Sequence, residues 1–200
     1  MLITLIRNPV DYFLANYHVK SYYGSTPETI PVDRCVSEKY PECWNNTFSY
    51  LGFICGEDQD NSELCIKNMA HEIDSENKRR SILERARIFI ARQYYVVGIV
   101  ENFDSTLKLL EKILPGYFRG SYKLFQTSES VRKHFDDEYV GINKASNATK
   151  LLLKTSVLRY EYDLYLFARA KFEMQLIANQ INLNPNNSVT MCLLRKRKNC

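Results

Sequence analysis

The sequence predicts an α/β fold, and three observations carry that reading. Leu2–Ile6 (LITLI) is a short apolar run rich in branched residues, which reads as a buried strand. Tyr94–Val100 (YYVVGIV) is a second such run. Both are followed by helical periodicity, and strand followed by helix fits a sheet with helices packed on it.

Arg7 closes the first strand. Asn8 is a good helix N-cap and Pro9 suits the first helical position. Val10, Phe13 and Tyr17 then recur at helical spacing, with Gly24 as the expected stop. Open α/β sheets bind ligands at the carboxyl ends of their strands. An arginine there offers a planar fork to an anion, and the helix start adds free N–H groups. The competing reading is a surface arginine in a solvated ion pair.

Residues 25–34 read as a polar loop. Cys35, Cys43, Cys55 and Cys65 follow, spaced C-x7-C and C-x9-C. No C-x2-C pair is present, which argues against zinc. Two local disulfides, Cys35–Cys43 and Cys55–Cys65, are the simplest of three connectivities. Each is worth roughly 2–3 kcal/mol in the chain-entropy view; four buried reduced thiols are the alternative. N-glycosylation sequons stand at Asn45, Asn147 and Asn186. With the cysteines they favour a secretory lumen.

Residues 66–78 read as loop and Arg79–Gln93 as a helix with Ile82, Ala86, Phe89 and Ile90 on one face. After the second strand, Asp104 or Ser105 caps a helix over Thr106–Leu114, with Leu107, Leu110 and Ile113 or Leu114 inward. Pro115–Gly116 ends it. Residues 121–147 read as irregular. A last helix runs from about Ala148 to Ile181, striped by Leu151, Leu158, Tyr162, Tyr165, Phe172 and Leu176. Residues 182–200 form a polar basic tail.

With 200 residues, 45% hydrophobic and 25% charged, the chain suits one globular domain. A net charge of +4 suits an anionic ligand and is too weak to argue for nucleic acid. No 18-residue apolar run or leader pattern occurs. A strand directly at Met1 reads as an amino-terminally short form.

Four stretches carry a family resemblance. IRNPVDYFLANY resembles the R-[DN]-P-V-x-x-F-x-S-x-[YF] motif of the Golgi sulfotransferases, which use 3′-phosphoadenosine 5′-phosphosulfate (PAPS). DRCVSEKYPECWNNTFSYLGFICG is similar to the uronyl and heparan sulfate 2-O-sulfotransferases, a subgroup that includes Pipe, with an insertion between Gly56 and Cys65. YYVVGIVENFDSTLKLLEKILPGYFRG resembles their V-G-[IV]-x-E strand, leucine-rich helix and L-P-x-[YF]-F-[RK]-G run. LRYEYDLYLFARAKF resembles their R-Y-E-Y-E-x-Y helix.

The resemblance implies a P-loop-like sulfotransferase fold, a parallel sheet flanked by helices, amino-terminally truncated. Residues 1–181 would be the carboxyl-terminal portion of that domain, with 182–200 as tail. It implies transfer of a sulfuryl group from PAPS to the 2-OH of uronic acid residues in heparan, dermatan or chondroitin sulfate, in the Golgi lumen and without a metal. Arg7 would hold the donor's 3′-phosphate. Ala15 replaces the motif's serine and removes a second phosphate contact. Asn143 and Lys144 fall where a late loop closes over the donor nucleotide; a solvated surface loop is the other reading. A homo-oligomer is compatible, and membrane anchoring is left to sequence outside these residues.

The family's phosphosulfate loop and catalytic histidine lie upstream of the arginine motif, where this sequence has six residues. No G-x-x-x-x-G-K-[ST] occurs. His18 reads as a helix-surface or packing histidine, so the catalytic residues stay unassigned and the chain alone is expected to lack sulfation activity. The alternative is a catalytically inactive relative that binds glycan or a partner. An unrelated disulfide-stabilised binding module ranks last.

Overall fold

The computed structural model describes residues 2–22, 30–44, 50–55, 76–130 and 145–182. Strand β1 (Leu2–Ile6) leads into helix α1 (Pro9–Tyr22); Gly24, its expected stop, lies outside the described residues. Three short helices follow: α2 (Val32–Ser37), α3 (Pro41–Trp44) and α4 (Tyr50–Cys55). Helix α5 (Glu76–Arg92) precedes strand β2 (Tyr94–Ile99). After a 3₁₀ turn (Val100–Asn102) come α6 (Phe103–Ile113), α7 (Pro115–Phe118) and α8 (Ser121–Thr127). Helix α9 (Asn147–Leu152), a π turn (Leu153–Val157) and α10 (Arg159–Ala178) complete the set.

The fold is α/β and mostly helical. Its sheet, among the described residues, is the parallel pair β1–β2, in register from Ile3↔Val96 to Ile6↔Ile99. Strand β2 is buried as expected, with α5, α6 and α10 packed on it. The other expected buried strand is corrected. Leu2, Ile3 and Leu5 of β1 are 42%, 38% and 47% exposed, because the helices pack chiefly on β2.

The far edge of β2 is closed by side chains instead of a strand. Gln175 of α10 accepts from the Val97 N–H (3.1 Å) and donates to the Tyr95 carbonyl (2.7 Å). Thr106 of α6 accepts from the Ile99 N–H and donates to its carbonyl, both at 3.0 Å. Lys171 of α10 donates to the Ile90 (2.5 Å), Ala91 (3.1 Å) and Tyr94 (2.6 Å) carbonyls and caps the end of α5.

Two apolar clusters result. The larger joins β2 to α4, α5, α6 and α10. The smaller packs Val10, Phe13 and Leu14 of α1 on α2, Cys43, Leu153 and Leu158. Cys35 and Cys43 are joined in a disulfide within it, Cα–Cα 6.0 Å, as the spacing predicts. The Cys55 side chain and Cys65 lie outside the described residues, so the second pairing is not seen.

Other expected boundaries shift. Helix α5 begins at Glu76, inside the expected loop. Helix α6 starts at Phe103 behind Asn102, which makes no side-chain cap bond, so neither Asp104 nor Ser105 is the cap. Within the expected irregular stretch, α8 forms behind Gly120, whose φ of 84° suits glycine. The expected last helix is broken. The Leu158 N–H reaches back five residues to Leu153 (2.8 Å), and this wider turn buries both leucines in the smaller cluster. Leu151 thereby leaves the expected stripe and is 60% exposed. Helix α10 ends at Ala178 in a Schellman cap, with Ile181 N–H bonded to Leu176 (2.9 Å) and Gln180 N–H to Ile177 (3.0 Å).

Gly98 sits opposite Leu5, and a Cβ there would lie 2.5 Å from both Leu5 Cδ2 and Thr106 Cγ2. Leu5 has room to turn, whereas Thr106 is held by its two bonds to Ile99. Gly98→Ala is therefore expected to lower the unfolding free energy by about 1–3 kcal/mol in urea titrations. An unchanged midpoint would show that Thr106 yields freely.

Candidate functional site

The carboxyl ends of β1 and β2 lie side by side, and the site grows from them. Arg7 follows β1 and is buried at 8% exposure. Asn8 caps α1 as its sequence predicts, its Oδ1 accepting from the Val10 N–H at 3.0 Å. Glu101 sits in the 3₁₀ turn after β2. One of its oxygens accepts from the Asn8 N–H at 2.6 Å, and the other from the Tyr165 hydroxyl of α10 at 3.2 Å. From α4, the Tyr50 hydroxyl accepts from the Arg7 N–H, and its ring tilts against Tyr12 at 5.6 Å.

Burial dominates the electrostatics. It raises the Asp11 carboxyl, one turn beyond Arg7, while Arg7 and then Lys150 of α9 oppose the shift. Glu101 keeps solvent contact as a residue, yet burial of its carboxyl raises it too. The Asn8 hydrogen bond opposes this, and the Asp11 charge adds to it. Burial pushes Tyr50 up to about 12 and moves Tyr165 further in the same direction, with Glu101 adding to both. Both phenols are thus neutral at physiological pH. The corner offers one guanidinium and the start of a capped helix to an anion, with two carboxylates close by.

Of the expected site residues, Arg7 is here. Asn143 and Lys144 lie outside the described residues. The chain resumes directly after them, with Ala145 buried and the Ser146 N–H donating to Asp33 of α2 at 3.0 Å. Asn147 is exposed at the first position of α9, and its sequon partner Thr149 is buried; Asn45 and Asn186 lie outside the described residues. Ala15 is half-buried in α1. His18 is half-buried, edge-on to Tyr17 at 6.3 Å, as expected of a packing histidine.

Sequence reasoning passed over Glu101, Tyr50, Tyr165 and Asp11 as members of the corner. For Glu101 a signal existed: it is the fixed glutamate of the V-G-[IV]-x-E run and stands just past a strand end. The tyrosines carried none, since their partners are 43 to 64 positions away in the chain.

No protein-family model matches the chain. Curated relatives do. The uronyl 2-sulfotransferase of Mus musculus is 27% identical over 191 residues, 86% of this chain and 42% of its own length. The heparin sulfate O-sulfotransferase of Drosophila melanogaster is 28% identical over 182 residues, 86% of this chain and 48% of its own. Heparan sulfate 2-O-sulfotransferase 1 of Xenopus laevis is 27% identical over 181 residues, 86% of this chain and 47% of its own. The chain spans less than half the length of these relatives. It is homologous to the uronyl and heparan sulfate 2-O-sulfotransferases, as the four motifs imply.

The raised carboxyls set a pH dependence. Unfolded, Asp11 and Glu101 titrate near 3.8 and 4.5; folded, both hold their protons to higher pH. The folded state binds more protons between those limits, so stability falls as pH rises through the folded values. In Asp11→Asn/Glu101→Gln this contribution is gone. The stability of the wild type relative to the variant is expected to decline as pH rises above the ordinary carboxyl values and through the raised folded ones. Urea midpoints that run parallel across that range would refute it.

Proposed function

We propose that this chain holds the 3′-phosphate of PAPS within a 2-O-sulfotransferase that modifies uronic acid residues of glycosaminoglycans in the Golgi lumen. The observation that carries the reading is Arg7, buried at a strand end beside the capped start of α1, inside a chain homologous to such enzymes. The donor set fits a phosphate: a guanidinium fork beside the positive end of α1, whose Val10 N–H is taken by the Asn8 cap. When bound, PAPS supplies the sulfuryl group. Arg7 and α1 bind and orient its 3′-phosphate, and Asn143 and Lys144 are assigned to the segment that closes over the nucleotide. No helix among the described residues is long and apolar enough to cross a membrane.

Sulfuryl transfer to a sugar hydroxyl also needs a base for the hydroxyl proton and cationic or N–H donors around the sulfuryl oxygens. His18, turned against Tyr17 on α1, is the histidine among the described residues, and the reading gives it no such role. A second reading, a glycan- or partner-binding protein without catalysis, draws on Ala15, which lacks the hydroxyl of the motif's serine.

Calorimetry with adenosine 3′,5′-bisphosphate tests the proposal. Arg7→Ala is expected to lose about 1.5–3 kcal/mol of binding, roughly ten- to a hundred-fold in affinity. Arg7→Lys should recover only part, because an ammonium lacks the planar fork. Ala15→Ser should tighten binding by restoring a hydroxyl donor. Equal affinities across the folded set would leave Arg7 a structural arginine and sink the donor-site reading.

A further inference from the structure

We infer that Glu101 is a positioning residue for Arg7: from the end of β2 its carboxylate fixes the backbone corner from which Arg7 reaches an anion. The inference rests on the donor-phosphate reading of Arg7. Its ground is the pattern of bonds around one α-carbon. The two N–H groups that flank the Arg7 Cα, its own and that of Asn8, are both taken by side chains of other elements. Tyr50 of α4 accepts the first, and Glu101 accepts the second at 2.6 Å across 93 positions of sequence. Together they fix the orientation of both peptide planes on which Arg7 turns.

Strand pairing does not need this bond. The ladder between β1 and β2 already ends in register at Ile6↔Ile99, and the Asn8 N–H lies beyond it. What the bond does secure is the turn between strand and helix. The same Asn8 caps α1 through its Oδ1, so Glu101 sets both the aim of Arg7 and the start of the helix that shares its anion. Glu101 is itself held. Its second oxygen takes the hydroxyl of Tyr165, which is 3% exposed in the larger apolar cluster. A carboxylate fixed at both oxygens transmits the rigidity of that cluster to the corner, and a preset fork loses less entropy when an anion docks.

The acceptor matters here more than the charge, and that sets the test. Adenosine 3′,5′-bisphosphate is titrated calorimetrically into the full chain and its variants, with folding checked by circular dichroism. Glu101→Ala is expected to weaken binding roughly ten-fold. Glu101→Gln, whose amide oxygen still accepts from Asn8, should bind within about two-fold of the wild type. Glu101→Asp keeps the charge but withdraws it by one methylene, so it should behave like the alanine variant and serves if that variant fails to fold. In an Arg7→Ala background, Glu101→Asp should cost nothing further, because the effect runs through Arg7. A merely structural glutamate would lower the melting temperature and leave the affinity of the folded protein unchanged. That result, with Arg7→Ala still losing affinity, overturns the inference alone. Undetectable binding by the wild type, or an Arg7→Ala that binds like it, overturns the donor-phosphate reading and the inference with it.

Discussion

The backbone of β2 must be satisfied on both edges, and most of the fold follows from how that is done. Parallel strands share slanted hydrogen bonds and rarely stand without helices on their faces. Here β1 supplies one edge and the side chains of Gln175, Thr106 and Lys171 supply the other. Those three side chains fix α10 and α6 against β2, and the larger apolar cluster closes around them. The far edge is thereby occupied, so the sheet has room to extend only beyond β1. Strand β1 carries the composition of a central strand in the position of an outer one. Its exposed Leu2, Ile3 and Leu5 are the visible consequence.

The corner at Arg7 joins the two clusters. Helix α1 leaves it to pack with α2, where the Cys35–Cys43 disulfide shortens the reach of the chain in the unfolded state. Glu161 of α10 ties α4 to the same side by accepting from the Leu51 N–H at 3.2 Å, and Tyr50, next in sequence, thereby comes to the Arg7 backbone. Arg7 thus sits between two apolar clusters, both of which Tyr162 of α10 also borders.

Sequence was most legible where one local rule acts alone. Asn8 and Pro9 announce the start of α1, and the close spacing of Cys35 and Cys43 announces their bond. The β-branched content of β2 was equally plain. Legibility failed where tertiary contacts decide. Leu151 and Leu158 match a helical stripe, but the π turn that lets Leu153 and Leu158 share one cluster moves Leu151 to the surface. Only the smaller part of the site was readable, by the same division. Arg7 stands on a local motif, whereas Glu101, Tyr50 and Tyr165 meet it only because two strands and two helices converge.

That convergence places two carboxyls beside the guanidinium, and this bears on what the corner does. Burial raises the Asp11 carboxyl, and it raises Glu101 as well, although that residue is exposed and its two oxygens accept hydrogen bonds. The field of Arg7 and the partial positive charge of the α1 start favour their ionised forms and also favour an incoming phosphate. On the proposed reading, a phosphate arriving here would compete with Asp11 for the field of the same cation. The net affinity is the difference between two anion–guanidinium interactions, and its sign rests on geometry. On the proposed reading, a bidentate fork at the positive end of α1 would favour the phosphate, which has three oxygens to satisfy, over the single Asp11 carboxyl in the first turn of that helix. Glu101 escapes this competition because both its oxygens are already committed, to Asn8 and to Tyr165. One carboxyl is thus the exchangeable counter-charge and the other the fixed strut, although the two residue types are nearly the same.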